Sequence, residues 1–429
     1  MEPGNPKYDS RDNCNAIIRT ATNELIRGCN NTVIPNSVTS IGEKAFYNCS
    51  DLTAVTIPNS VKSIGINAFA GCNSLESVII SKSVTLIGKH VYFPGSRSIE
   101  WSSDINSGGP VVSYDPPTMR PVHLNAFSGC SSLNSIIVEQ GNPNYDSREN
   151  CNAIIEKETN LLISGCKNTI IPKSVTSIGL CAFEGCTGLS FMIIPNSVTS
   201  IDRSAFSGCS NLASVTFPDC DSLRYIGIRR IGESAFCGCS SLTSVTIPRT
   251  VHSIWAKAFQ NCTNLTSVYI PDIDISIDPT AFRGCSNLTS LNIPKRVKPF
   301  FYGCSSLTSV IIPNGEKVIP KSAFDGCTGL ISITIPDSVE YIGEHAFRGC
   351  KELKTITIPN EVIVIGREAF HGCTNLESVT IGNEVMIIDE GAFCGCTNMK
   401  SIIIPQSVIY IGQKAFPEEC KVIMEECTS

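Results

Sequence analysis

Apolar and polar residues follow each other in a unit of 23 residues that recurs along almost the whole chain. Its clearest copy starts at Ala346 and reads AFRGCKELKTITIPNEVIVIGRE. Leu353, Ile356 and Ile358 are apolar, and Thr355 and Thr357 lie between them, so this stretch predicts a half-buried strand. Pro359 ends it, because proline has no N–H to give to a ladder. Asn360 and Glu361 make a turn. A second apolar run, Val362 to Ile365, is closed by Gly366, to which we assign a positive φ at a bend. Arg367 to Phe370 predicts one helical turn that drops Ala369 and Phe370 inward.

The aromatic of this unit recurs at Phe46, Phe69, Tyr92, Phe127, Phe183, Phe206, Phe236, Phe259, Phe282, Phe301, Phe324, Phe347, Phe370, Phe393 and Phe416. Ten of the fourteen intervals are 23 residues, and the others are 35, 56, 30 and 19. A fixed period in this range means a solenoid. One coil cannot bury its own apolar set, but stacked coils can. Parallel strands then repeat at about 4.8 Å, and each coil buries about five large apolar side chains at roughly 1.5–3 kcal/mol each, before entropy is subtracted.

The pattern AFxGCxxLxxVxIPxxVxxIGxx resembles the BspA-type, or Treponema pallidum-type, leucine-rich repeat, over nearly the whole chain. The resemblance implies an α/β leucine-rich-repeat fold. This would be a right-handed, curved, β-rich solenoid with a parallel concave sheet and short turns or helical turns on the convex side. It also implies a bacterial or protozoan protein of the cell surface, or a secreted one, used in adhesion.

Several stretches depart from the unit. Residues 3–34 return almost unchanged at 141–171, shifted by 137. In each copy two short apolar runs flank a polar turn, which reads as a β-hairpin. Tyr8, Asp9, Arg11 and Asp12, repeated as Tyr145, Asp146, Arg148 and Glu149, could form a ligand site, but Asp and Arg there more simply fix a turn. We therefore divide the chain into an N-terminal hairpin-like cap, 1–34, and a solenoid, 35–429, with insertions near 94–122, 140–171 and 219–230. The first insertion carries Trp101 and Tyr114, and insertions in solenoids map to loops on one face, often the binding face. The short coil before Phe301, at Lys295 to Pro299, predicts a kink, and Cys420 to Glu426 a final strand.

Net charge is −6 and the sequence pI about 5.5, which leaves no electrostatic footprint for nucleic acid or an anionic membrane. No run of 18 apolar residues exists to span a membrane. The first residues contain no apolar signal region, so an exported form would need a targeting segment not present in this sequence.

There are 23 cysteines, and thirteen of them follow the aromatic by three residues. Zinc sites call for CxxC pairs, and the sequence offers only CxC at Cys237–Cys239 and Cys394–Cys396. A ladder of small buried free thiols is expected instead, a pattern suited to a reducing or anaerobic setting. Asp272, Asp274 and Asp278 suggest calcium, but without the spacing of a calcium loop. Arg224, Arg229 and Arg230 form a local basic cluster that could meet an anionic partner.

On each strand the second and fourth residues after the leucine should face outward. Those rows are almost all Ser, Thr and Ile, with Phe191, Ile193 and Tyr269 as the large contact candidates. No carboxylate pair or histidine points out. His90, His123, His252, His345 and His371 fall in turns of different coils, and no hydrolase, kinase or metalloprotease motif occurs. We expect no catalytic, cofactor or metal site. The expected function is a non-catalytic interaction and adhesion module. It would bind host, matrix or bacterial surface proteins through the concave sheet, at Phe191, Ile193 and Tyr269, or through the loop bearing Trp101 and Tyr114. The alternative is a carbohydrate-binding surface module. A flat, ice-contacting threonine ladder is disfavoured by curvature.

Overall fold

The computed structural model describes residues 5–88, 98–100, 111–113, 125–217, 227–278, 280–292 and 301–425. The chain winds as a β-solenoid in which neighbouring coils are tied by up to three backbone ladders, the first of which is interrupted into sheets of two or three strands. The first is the predicted strand. Thr355–Thr357 pairs in parallel with Ser378–Thr380, placing Ile356 opposite Val379. The second runs through the apolar run after the proline: Tyr341–Ile342, Val364–Ile365, Ile387–Ile388 and Tyr410–Ile411 pair in parallel, isoleucine against isoleucine.

The third ladder replaces the expected helical turns. The N–H groups of Glu368, Phe370 and Gly372 donate to Glu390, Ala392 and Cys394 of the next coil at 2.9, 2.7 and 2.8 Å. The N–H groups between them, of Ala369, His371 and Cys373, close tight turns onto Gly366, Glu368 and Phe370. A helix would need every N–H inside its own turn, and here alternate ones leave it. Glu368 also sits at φ 50°, as do its counterparts Lys44, Ser204 and His345 at φ 54–57°, which breaks right-handed helical geometry. Among the described residues only Arg11–Asn13 and Arg148–Asn150 are helical, and both are single 3₁₀ turns. The α/β assignment therefore gives way to an almost purely β solenoid.

The glycine assignment also changes. Gly366 has no positive φ; a Cβ there would come within 2.7 Å of the Ile342 carbonyl oxygen, so close coil-to-coil approach demands glycine. The left-handed glycine is the one before the cysteine, as at Gly372 with φ 71°.

The core is a stack of phenylalanine rings. Phe206 and Phe236 lie 5.0 Å apart and 1° from parallel. Phe69 stacks directly on Phe127 at 5.3 Å, and Ser77–Ile80 pairs directly with Ser135–Val138. The expected coil around Tyr92 therefore does not stand between them, and Tyr92 itself lies outside the described residues. Around the short coil the spacing opens to 6.4 Å and 32° at Phe282–Phe301, then 6.2 Å and 29° at Phe301–Phe324. Lys295 to Pro299 lie outside the described residues.

Both hairpins form. Ile17–Arg19 pairs antiparallel with Glu24–Arg27, and Ala153–Glu156 with Leu161–Gly165. The outgoing strand of each joins the second ladder in parallel, Leu25 opposite Ile41 and Leu162 opposite Ile178. Asp9 and Arg11 do fix a turn: the guanidinium grips Asp9 at 2.7 and 2.9 Å and reaches Asn23 at 2.8 Å. Arg148 repeats this with Asp146 and Asn160 at 2.8 Å each. Lys421–Met424 forms the final strand, parallel to Ser401–Ile404.

Candidate binding face

The strand face points as expected. Phe191, Ile193 and Tyr269 are all more than half exposed. Register places Phe191 beside Ser214 and Ile193 beside Thr216, while Tyr269 lies beside Thr246 in a separate two-stranded sheet, three coils from Phe191. At strand spacing that separation is about 14 Å, so these residues share a face without touching. Ile79 and Ile137 do form an adjacent exposed pair. The 35-residue interval hid them as neighbours. Trp101 and Tyr114 lie outside the described residues, as does Arg224. Arg230 is spent locally, facing Asp202 at 3.6 Å and lying over the Trp255 ring at 5.9 Å. Asp278 turns its carboxylate onto the Thr280 N–H and hydroxyl at 2.8 and 2.6 Å.

A stronger candidate lies on the second ladder, whose outward side chains the strand pattern alone does not single out. In the upstream coils the residue at this position is serine at Ser40, Ser63, Ser177, Ser200, Ser253 and Ser276, with Leu86 and Arg230 as the exceptions. From Val318 onward it becomes Val318, Tyr341, Val364, Ile387 and Tyr410, in strict register. The row beside it carries Ile363, Met386 and Ile409, the last 73% exposed. Six exposed apolar side chains, with Val364 and Ile387 half-buried between them, therefore line five successive coils. On one side they are bordered by alternating charges: Lys321 pairs with Glu344 at 2.7 Å, and Arg367 faces Glu390 at 3.6 Å. The Lys321 ammonium holds the Glu344 carboxyl below the usual range. An apolar stripe with a charged rim is the composition of an interaction surface rather than of ordinary solvent-facing sheet. Its signal is in the sequence, as the change from mostly serine to valine, isoleucine or tyrosine one residue before the second-ladder isoleucine.

The cysteines are structural. All the ladder thiols except Cys186 reach back to a main-chain carbonyl one coil earlier, as Cys262 does to Phe236 and Cys373 to Phe347, both at 3.2 Å. Every described cysteine is a free thiol. Among the described residues no group of three His, Cys, Asp or Glu is arranged to hold a metal ion, and no helix is long and apolar enough to cross a membrane.

With this geometry established, the chain can be set against known proteins. The model of the BspA type leucine rich repeat region matches residues 23–109, 154–229, 220–328 and 297–423. The chain belongs to the BspA-type leucine-rich repeat family. A leucine-rich repeat protein of Bacteroides ovatus is 26% identical, with 98% of each chain covered and a TM-score of 0.59. A leucine-rich cell surface protein of Faecalibacterium prausnitzii is 21% identical over 100% of this chain and 96% of that one, with a TM-score of 0.40. The leucine-rich repeat protein of T. pallidum is 24% identical over 53% of this chain and 86% of that one, with a TM-score of 0.27. No curated protein matches the chain.

Proposed function

We propose that this BspA-type solenoid is a non-catalytic protein-interaction module of a cell surface, used in adhesion. Its partner would be a host, matrix or bacterial surface protein. The observation that carries this reading is the apolar stripe from Val318 to Tyr410, kept in register over five coils where most earlier coils carry serine. Exposed apolar area of this kind gains free energy when another protein covers it. Tyr341 and Tyr410 suit contact hot spots, since tyrosine brings a large rigid surface with a polar tip. Family membership supports the surface setting, and the exposed Phe191, Ile193 and Tyr269 offer a second, smaller contact area.

The test is a solid-phase binding screen against matrix proteins, host cells and bacterial surfaces, with three forms of the chain. Wild type is compared with Tyr341→Asp/Met386→Asp on the stripe and with Phe191→Asp/Ile193→Asp on the strand face. Binding by wild type that falls tenfold or more only in the stripe variant, with unchanged thermal melting, supports the proposal. Loss only in the strand-face variant moves the contact to that sheet. Silence of wild type across the panel overturns the adhesion reading.

A further inference from the structure

The two hairpins have nearly one sequence and two different surroundings. In the interior copy, Ala153, Ile155 and Leu162 pack into the downstream core, while Ile154, Ile163 and Cys166 pack into the upstream one. The interior hairpin is thus a wall with a buried face on each side. In the N-terminal copy the matching Ala16, Ile18 and Leu25 are buried in the same way. Its other face is open: Ile17 is 38% exposed where Ile154 is 0%, and Cys29 is exposed where Cys166 is buried.

The interior hairpin also grips the block before it through polar side chains. The Asn142 amide donates to the carbonyls of Ser81 and Val84 at 3.1 and 2.8 Å. The Tyr145 hydroxyl accepts from the Ile87 N–H at 3.1 Å, the Ser147 hydroxyl accepts from the Val138 N–H at 3.0 Å, and the Asn168 amide donates to the Asn134 carbonyl at 3.1 Å. All four have counterparts in the first copy: Asn5, Tyr8, Ser10 and Asn31. Asn5 is already set by its own turn, its Oδ1 accepting from the Lys7 and Tyr8 N–H groups as Asn142 Oδ1 does from Asn144 and Tyr145. The Asn5 and Asn31 amide nitrogens and the Tyr8 hydroxyl have no partner among the described residues.

The far end of the chain has the shape this face is built for. The block that the interior hairpin covers ends in Leu86–Ile87 on the second ladder, then Phe127, then Ser135–Val138 on the first. The last coil repeats that order with Tyr410–Ile411, Phe416 and Lys421–Met424. Under the interior hairpin Ile87, Ile136 and Val138 are 0%, 0% and 8% exposed; their counterparts Ile411, Val422 and Met424 are 41%, 42% and 52% exposed. The interior grip falls on main-chain groups, so it does not depend on which side chains the coil carries.

We propose that the N-terminal hairpin of one molecule seals the last coil of another, so that copies of this chain join head to tail by the same joint that the interior hairpin makes within one chain. Each joint buries the open hairpin face against the open coil end and leaves one of each free, so growth is linear. This does not rest on the binding proposed above.

Sedimentation velocity of the full chain in a reductant tests it, with Cys29 kept reduced so that thiol cross-links do not contribute. Wild type should sediment faster as concentration rises. Ile17→Lys, which blocks the head, and Val422→Lys/Met424→Lys, which blocks the tail, should each stay monomeric. Mixed in equal amounts they should give a dimer and nothing larger, because one intact head and one intact tail remain. All the substituted side chains are at least a third exposed, and unchanged far-UV melting confirms that the variants fold. A wild type that stays monomeric, variants that still oligomerise alone, or a mixture that stays monomeric overturns the proposal.

Discussion

The thiol of Cys350 donates to the main-chain carbonyl oxygen of Phe324, 3.3 Å away and one coil earlier. That contact explains why cysteine recurs where any small residue would fit. It supplies a weak donor in a space that excludes water. It also aims the Cys350 sulfur at backbone, although neighbouring coils bring the thiols close.

Stability should therefore fall in alkali. Burial pushes the thiols of Cys72, Cys186, Cys285 and Cys327 up to about 12, from an ordinary value of 9.0. The folded state holds the neutral form, while the unfolded chain loses these protons near pH 9. The stabilisation is thus whole below about pH 9 and is lost progressively towards pH 12. Burial also pushes the Tyr145 hydroxyl from its ordinary 10.0 up to about 12, adding to the upper part of that window, above about pH 10. Thermal melts in reductant at pH 8, 9, 10 and 11 should show a flat start and then a steep fall. A melting temperature unchanged at pH 11 would count against this account.

Two glycines in one coil should differ in what alanine costs. At Gly372 the obstacle is φ 71° alone, since the nearest atoms to a new Cβ are 4.0 Å away, and the loss should be about 1–2 kcal/mol. At Gly366 the Cβ would meet the Ile342 carbonyl oxygen at 2.7 Å and the Glu344 nitrogen at 2.9 Å, both backbone. Gly366→Ala should cost clearly more, because two coils must separate. Chemical denaturation of the two variants gives the order directly.

Arg348 forks onto Asp325 of the preceding coil through bonds of 3.2 and 3.0 Å. Asp325 is buried, whereas Arg348 is part exposed. Arg348→Met should destabilise by about 1–3 kcal/mol, since the carboxylate loses two donors. Adding Asp325→Asn should recover part of that loss. A double-mutant cycle showing simple additivity would disprove the coupling.

The paired hairpins allow the same substitution to be made twice in one chain. Ile154→Lys places an unpaired charge between two cores and should cost about 3–5 kcal/mol. Ile17→Lys, measured on monomer, should stay within about 0.5 kcal/mol of wild type. Equal costs at the two sites would mean that the open face is covered in solution.

Much of the solenoid could be read from the chain. The 23-residue period, the alternation from Leu353 to Ile358 and the stop at Pro359 define the first ladder and its outward rows, and the aromatic period defines the ring stack. The turn before Phe370 looks helical in sequence because local propensity does not show that alternate N–H groups are taken by the next coil. The role of Gly366 is illegible for a related reason: the steric demand made by Ile342 lies a full coil away in sequence. The stripe at Val318 to Tyr410 is hard to read because nothing within one unit shows that the second ladder also faces outward.

The interior hairpin has one more consequence, for how such a chain can lengthen. The two hairpin stretches lie 137 residues apart, and that interval holds both a wall and the coils stacked on it. A genetic exchange between the two hairpin-coding stretches would add or remove a whole cassette, and every new junction would arrive with its own seal already in place. Single-coil insertions have to match the spacing on both sides, as the tilted rings around Phe301 show. Cassette-sized steps avoid that demand, so the reach of the molecule can change during descent without passing through a form with an open core.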